Sequence, residues 1–236
     1  MKKSNIKVLS SNNILFEDNH LLVVNKAAGL LVQGDRTGDI PLVDLAKAYI
    51  KKKYNKPGEV FLGVVHRLDR PTSGVLVFAR TSKALERLNT QFKERTTKKK
   101  YWAVTEGANA PEEASLQHWL LRKPKINKSF AHKNEVPNSK LGKLSFRRIK
   151  TLDRYSLLEI DLQTGRHHQI RAQLNAIKLH IKGDLKYGAA RSNPDGSIHL
   201  HARSLSFEHP VKKEVMTVVA PLPTLAPWKA CADDVS

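Results

Sequence analysis

The sequence predicts an α+β fold, one mixed, strand-rich domain with flanking helices. Two observations lead there. Short apolar runs rich in Val, Ile, Leu and Phe recur along the chain, as in "FLGVV", "GVLVFA", "YWAV" and "LLEIDL". Between them lie a few segments whose apolar residues recur at helical spacing. With 236 residues and 40% hydrophobic content the chain can bury a sizeable core, and it shows no internal repeat.

In chain order, residues 1–12 are polar and read as an arm. Ile14–Lys26 reads as two short strands around a turn at Asp18-Asn19. "AAGLLVQGDRTGD" is a loop, after which Pro41 starts a helix with Leu42, Leu45, Ala46, Ala48 and Ile50 as its apolar face. Strand-like runs Phe61–Val65 and Val75–Ala79 flank a charged turn. Ser82 is placed as N-cap of the next helix, with Leu85, Leu88 and Phe92 at helical spacing. Lys98–Gly107 is a strand. Residues 108–141 carry Pro111, Pro124 and Pro137 and a basic stretch, and read as a mostly irregular surface insertion. A hairpin follows, Leu144–Thr151 and Tyr155–Leu162 around Asp153. "RHHQIRAQLNAIKL" is a helix with Ile170, Leu174 and Ile177 on one face, and two strands close the domain. The expected division is an arm 1–12, a domain 13–225 and a C-terminal tail 226–236.

Charge is the loudest signal of composition. Lys and Arg number 41 against 22 acids, a formal +19, which favours a polyanionic partner, nucleic acid by default. Aromatics at 6% argue against a surface that binds single strands by stacking many rings. No apolar run approaches the roughly 20 residues that span a membrane, and no signal peptide follows the basic N-terminus. One cysteine, Cys231, excludes an intramolecular disulfide and a cysteine-built zinc site. A cytoplasmic protein is expected.

The stretch "GVVHRLDRPTSGVLVFAR" places one carboxylate, Asp69, between Arg67 and Arg70 in a turn between strand-like runs. A carboxylate at the edge of a buried sheet needs cationic or hydrogen-bonding partners to stay ionised, so Asp69 is either a structural ion pair or a reactive group. Ser73 is no nucleophile elbow, because Pro71 stands where G-x-S-x-G has glycine. The clustered histidines His167-His168, His199, His201 and His209 lack metal-site spacing, so neither a metal nor an organic cofactor is expected.

Here the chain resembles the RluA-type pseudouridine synthases, which isomerise uridine to pseudouridine in ribosomal and transfer RNA. The family's "HRLDxxTSG" stands as His66 to Gly74, its "K-x-Y-x-A" as Lys99 to Ala103, and its "TGRxHQIR" as Thr164 to Arg171. Its "GDxxYG" is Gly183 to Gly188, and its closing "LHA…L.F.HP" runs from Leu200 to Pro210. The resemblance implies a single mixed, mostly antiparallel sheet carrying the catalytic site. It implies Asp69 as the catalytic carboxylate, Arg171 as its partner, and Tyr101 stacked on the uracil and suited to proton removal at C5. His66, Arg67, Arg70, Thr72, Arg166 and Ile170 are the implied substrate-binding residues. The carboxylate's part, whether attack on the sugar, assistance to base loss or proton uptake, stays open. The implied partner is RNA, ribosomal or transfer, met as a monomer with no obligate protein partner. The chain departs from the family at Ala27, where "KPxG" has proline, and at Gln173, where histidine is frequent, and it is expected to do without the N-terminal RNA-binding domain that many members carry. The competing reading is an inactive RNA-binding or assembly factor on the same fold.

Overall fold

The computed structural model describes residues 8–35 and 37–232, so most of the expected arm and the last residues of the expected tail lie outside the described residues. The strands are β1 (Ile14–Glu17), β2 (Leu21–Lys26), β3 (Gly63–Val64), β4 (Ser73–Ala79), β5 (Lys98–Glu106), β6 (Glu113–Lys123), β7 (Lys128–His132), β8 (Lys140–Leu152), β9 (Tyr155–Leu162), β10 (Leu200–Glu208) and β11 (Val215–Val219). The helices are α1 (Leu42–Lys53), α2 (Ser82–Glu94), α3 (Gln169–Ala176) and α4 (Trp228–Ala232). The chain divides into two compact units, Met1–Thr97 with Ala202–Pro221, and Lys98–His201 with Leu222–Ser236.

In the first unit the hydrogen-bonded order is β1-β2-β4-β10, with β3 on β4 and β11 on β10. All seven residues of β4 are buried, as are five of six in β2, so both read as continuous apolar runs instead of alternating ones. Their antiparallel register runs from Leu21 opposite Ala79 to Lys26 opposite Gly74. Gly74 has φ +117°, and a Cβ there would sit 2.3 Å from the Ala202 carbonyl oxygen, so only glycine fits. Leu88 and Ala84 of α2 pack on this core with Val75, Val77, Leu205 and Phe207.

Three expectations shift here. Thr81, not Ser82, caps α2, its hydroxyl accepting from the Ala84 N–H at 3.2 Å. Either residue suits the position by type, and the extended backbone at Thr81 decides it. In α1 the buried stripe is Leu42, Leu45, Ala46 and Ile50, while Ala48 faces water because its angular position falls opposite the stripe. The strand before the charged turn is only Gly63–Val64, and Phe61 is 49% exposed.

The second unit is the antiparallel order β5-β9-β8-β6-β7. The expected irregular insertion at 108–141 is instead largely strand. β6 pairs with β8 from Glu113 to Leu120 and with β7 across a tight tip at Pro124–Ile126. Pro111, Pro124 and Pro137 all lie outside the strands, so they mark strand ends and not their absence. α3 starts at Gln169, three residues later than the sequence suggests, because His168 takes a left-handed backbone (φ 53°) that ends the preceding turn. Ile177 is the C-cap, not an interior residue. The expected tail is also corrected, since Trp228 is 2% exposed and Cys231 fully buried, packed with Trp102, Val104 and Leu157. Trp102 therefore belongs to the core.

Candidate active site

Asp69 stands in a turn closed by the Thr72 N–H donating to the Asp69 carbonyl at 3.0 Å, directly before β4. It is half-buried, and Arg67 beside it is exposed. Arg70 does not simply neutralise its neighbour. Its Nε donates to the Gly29 carbonyl at 3.0 Å, and a terminal nitrogen pairs with Asp39 at 2.7 Å. Arg70 thus ties the turn to the 29–39 loop.

The cation under the turn is Lys26, at the end of β2. Its side chain is 0% exposed, and its ammonium donates to the carbonyls of Ala27 (3.0 Å), Leu30 (2.8 Å) and Arg70 (3.2 Å). Three acceptors match the three N–H donors of an ammonium. Gly29 adds its N–H to the same Arg70 carbonyl at 2.7 Å. Burial pushes the Lys26 amine down to about 7, with the Asp69 carboxylate raising it and Arg70 lowering it further. Ala27, where the family has proline, lies in this pinned loop and gives it a carbonyl acceptor. Sequence reasoning missed Lys26. The available signal was a lysine closing the apolar run "LLVVNK".

Thr72 is 2% exposed, and its hydroxyl has no hydrogen-bond partner among the described residues. A buried unpaired hydroxyl is costly, which makes Thr72 a natural contact for a bound ligand. His66 instead serves the local fold. Its Nε2 accepts from the Val77 N–H at 3.2 Å, and its ring stacks on Phe92 with centroids 4.8 Å apart.

The second unit carries Tyr101 and Arg171. Tyr101 is 9% exposed on β5, opposite Ile160 of β9. Arg171 is 5% exposed on α3 and grips Asp184 through two donors, Nε to Oδ2 at 2.6 Å and a terminal nitrogen to Oδ1 at 2.8 Å. A fork–fork pair of this kind fixes the orientation of the guanidinium. Its Cζ lies 4.9 Å from the Tyr187 ring centroid. Asp184 and Tyr187 belong to the "GDLKYG" block, for which sequence reasoning names no role. Neighbouring His168 is held neutral, its basicity strongly lowered by burial first and by Arg171 next.

The loop before α3 is organised by Gln169. Its Oε1 accepts from the Thr164 hydroxyl (2.7 Å) and the Arg166 N–H (3.0 Å), and its Nε2 donates to the Lys143 carbonyl (3.1 Å). Arg166 donates from Nε to the Leu141 carbonyl at 3.1 Å, and Ile170 is 4% exposed. Gln173, the other departure from the family pattern, donates to the Leu116 and Gly142 carbonyls at 3.3 and 3.2 Å and so ties α3 to β6 and β8.

Residues 20–176 match the family model for RNA pseudouridylate synthases. The chain is 34% identical over 218 residues to an uncharacterized RNA pseudouridine synthase of Synechocystis, covering 89% of this chain and 65% of that protein. It is 33% identical over 227 residues to ribosomal large subunit pseudouridine synthase C of Buchnera aphidicola, covering 92% of this chain and 69% of that protein. It thus spans about two thirds of the length of these curated relatives. The structure of human RNA pseudouridylate synthase domain containing 4 superposes with a TM-score of 0.74 at 25% identity, covering 91% of this chain and 90% of that one. With a family model matching well over half its length and relatives above 30% identity, the chain belongs to the RNA pseudouridylate synthase family.

Proposed function

We propose that this protein isomerises uridine to pseudouridine in RNA, with Asp69 as the catalytic carboxylate. The observation that carries the assignment is the Asp69 turn itself, anchored from beneath by the buried Lys26 ammonium and from the side by Arg70. A reacting group held by rigid elements keeps its geometry better than one on a free loop.

The reaction breaks the N1–C1′ bond, turns the uracil and forms a C5–C1′ bond. The C5 proton leaves and N1 gains one, so no electron donor or acceptor is consumed. Asp69 acts at the sugar, Tyr101 receives the base on its ring and takes part in proton removal at C5, and Arg171 orients a carboxylate through its planar donors. Thr72 offers its unpaired hydroxyl to the bound nucleotide, and exposed Arg67 meets the RNA. A uridine inside a helix must leave the stack to reach such a site.

The RNA is ribosomal or transfer RNA in the cytoplasm. The similarity to ribosomal large subunit pseudouridine synthases C favours the former. The formal charge of +19 suits a phosphate backbone. The test incubates the purified chain with ribosomal and transfer RNA transcripts and maps pseudouridine. Site-specific conversion supports the proposal. Tight RNA binding without conversion would replace the enzyme with an RNA-binding factor on the same fold.

A further inference from the structure

Outside the groups assigned above, a chain of polar contacts runs through the second unit from the tip of the β6–β7 hairpin to Arg171. At the tip, Lys123 and Lys128 face each other across the strand pair, and their ammonium groups lie 5.2 and 5.5 Å from the Phe130 ring centroid. Lys186 donates to the Asn127 carbonyl at 3.1 Å. His167 is bonded through Nε2 to the Asn127 side-chain oxygen (3.0 Å) and through Nδ1 to the Ser129 hydroxyl (2.8 Å). Like charges gathered this way repel until an anion arrives, so the tip suits a phosphate.

Tyr187 is the next link. It is 2% exposed, and its phenol oxygen accepts from the Ser129 N–H at 2.8 Å and lies 3.2 Å from the Ser129 carbonyl and 2.9 Å from His168 Nδ1. With the His168 proton on Nδ1, every one of these groups is satisfied: two N–H groups donate to the phenol and the phenol donates to Ser129. The hydroxyl is therefore bolted to the backbone of β7. The same ring has Lys128 Nζ at 5.0 Å and the Arg171 guanidinium carbon at 4.9 Å. Two cations draw on one ring, and one belongs to the basic β6–β7 hairpin.

We propose that Tyr187 is a positioning residue that couples RNA contact at the β6–β7 hairpin to the placement of Arg171. A phosphate that pairs with Lys128 takes that cation's share of the Tyr187 ring, and Arg171 settles against the freed ring while Asp184 holds its far side. The benefit to catalysis rests on the proposed role of Arg171, but the coupling can be read without turnover.

The Arg171 Nε–H signal serves as the probe in ¹⁵N-labelled protein, assigned by its loss in Arg171→Lys. A uridine-containing RNA stem-loop, and separately Lys128→Gln without RNA, should each move that signal. Tyr187→Phe removes the hydroxyl tie that holds the ring beside Lys128 on β7, so in that background the ring is no longer shared and Lys128→Gln should no longer move the signal. In single-turnover assays at saturating RNA, Tyr187→Phe should slow conversion about tenfold with RNA affinity unchanged, and adding Lys128→Gln should slow it no further. An Arg171 signal that ignores both RNA and Lys128→Gln overturns the coupling. Additive losses of rate, or an unchanged saturating rate in Tyr187→Phe, overturn its catalytic part. A wild-type protein that shows the coupled signal yet forms no pseudouridine overturns the enzyme assignment and not the coupling. If Tyr187→Phe does not fold, Lys128→Gln and the RNA titration decide alone.

Discussion

Replacing Lys26 by methionine tests the electrostatics beneath Asp69. A fully buried amine lowered from 10.5 to about 7 stays protonated in the unfolded chain well above the pH at which the folded protein releases its proton. Between those values the unfolded state binds more protons, so stability rises with pH from about 7 toward 10.5 and falls again as pH drops. At about 1.36 kcal/mol per pH unit, the full span is worth about 5 kcal/mol. Methionine has similar length and does not titrate. It leaves the Ala27 and Leu30 carbonyls without this donor, at about 1–3 kcal/mol each, while the Arg70 carbonyl keeps the Gly29 N–H. Urea unfolding of both proteins at intervals from about pH 6.5 to 9.5 gives the difference in stability, with the other titrating groups cancelling in the subtraction. The wild type should gain on Lys26→Met by about 1.4 kcal/mol for each pH unit above about 7. Parallel curves would show that the carbonyl cage holds the ammonium at its ordinary basicity and would refute the reasoning.

Gly74→Ala should cost at least about 3 kcal/mol, because it adds a Cβ against the Ala202 backbone at a positive φ; a thermal melt should fall by roughly 6–12 °C or the protein should fail to fold. Arg171→Lys should lower turnover by about a hundredfold and also lose about 1–3 kcal/mol in denaturant unfolding, since a lysine cannot span both Asp184 oxygens. His199 is buried neutral, bonded to Asn193 and the Ala226 carbonyl, and burial lowers it to about 4. The unfolded state then binds more protons between about pH 6.5 and 4, so about 3 kcal/mol of stability should drain away as pH falls through that window, a slope that His199→Gln should flatten.

Much of the fold was legible because the signals were local. The hairpin of β8 and β9 followed from apolar runs around Asp153, and β4 from an unbroken apolar run. The 108–141 segment was misread because its prolines and lysines disguise strands whose partners lie on β8, a long-range pairing that no local pattern reports. Trp228 and Cys231 looked like tail because the residues they pack on, Trp102 and Leu157, are distant in sequence. Asp69, Tyr101 and Arg171 stand out as candidates through their motif blocks, whereas nothing local in the sequence marks what Lys26, Asp184 and Tyr187 hold. Lys26 is recognisable only once its three carbonyl acceptors converge, and the grip of Asp184 and Tyr187 on Arg171 only once the "GDLKYG" turn folds against α3.

The central claim is that Asp69 performs the chemistry, and Asp69→Asn tests it most directly. Asparagine matches the carboxylate in shape, and the turn's closing bond runs through the Asp69 backbone, so the fold should survive. The amide carries no negative charge and is a poor nucleophile and base. RNA tritiated at C5 of uridine is incubated with each protein, and tritium released as C5 is re-bonded is counted, with folding checked by melting and RNA affinity by titration. The account predicts release by the wild type and none above background by a folded, RNA-binding Asn variant. Substantial release by that variant would contradict it.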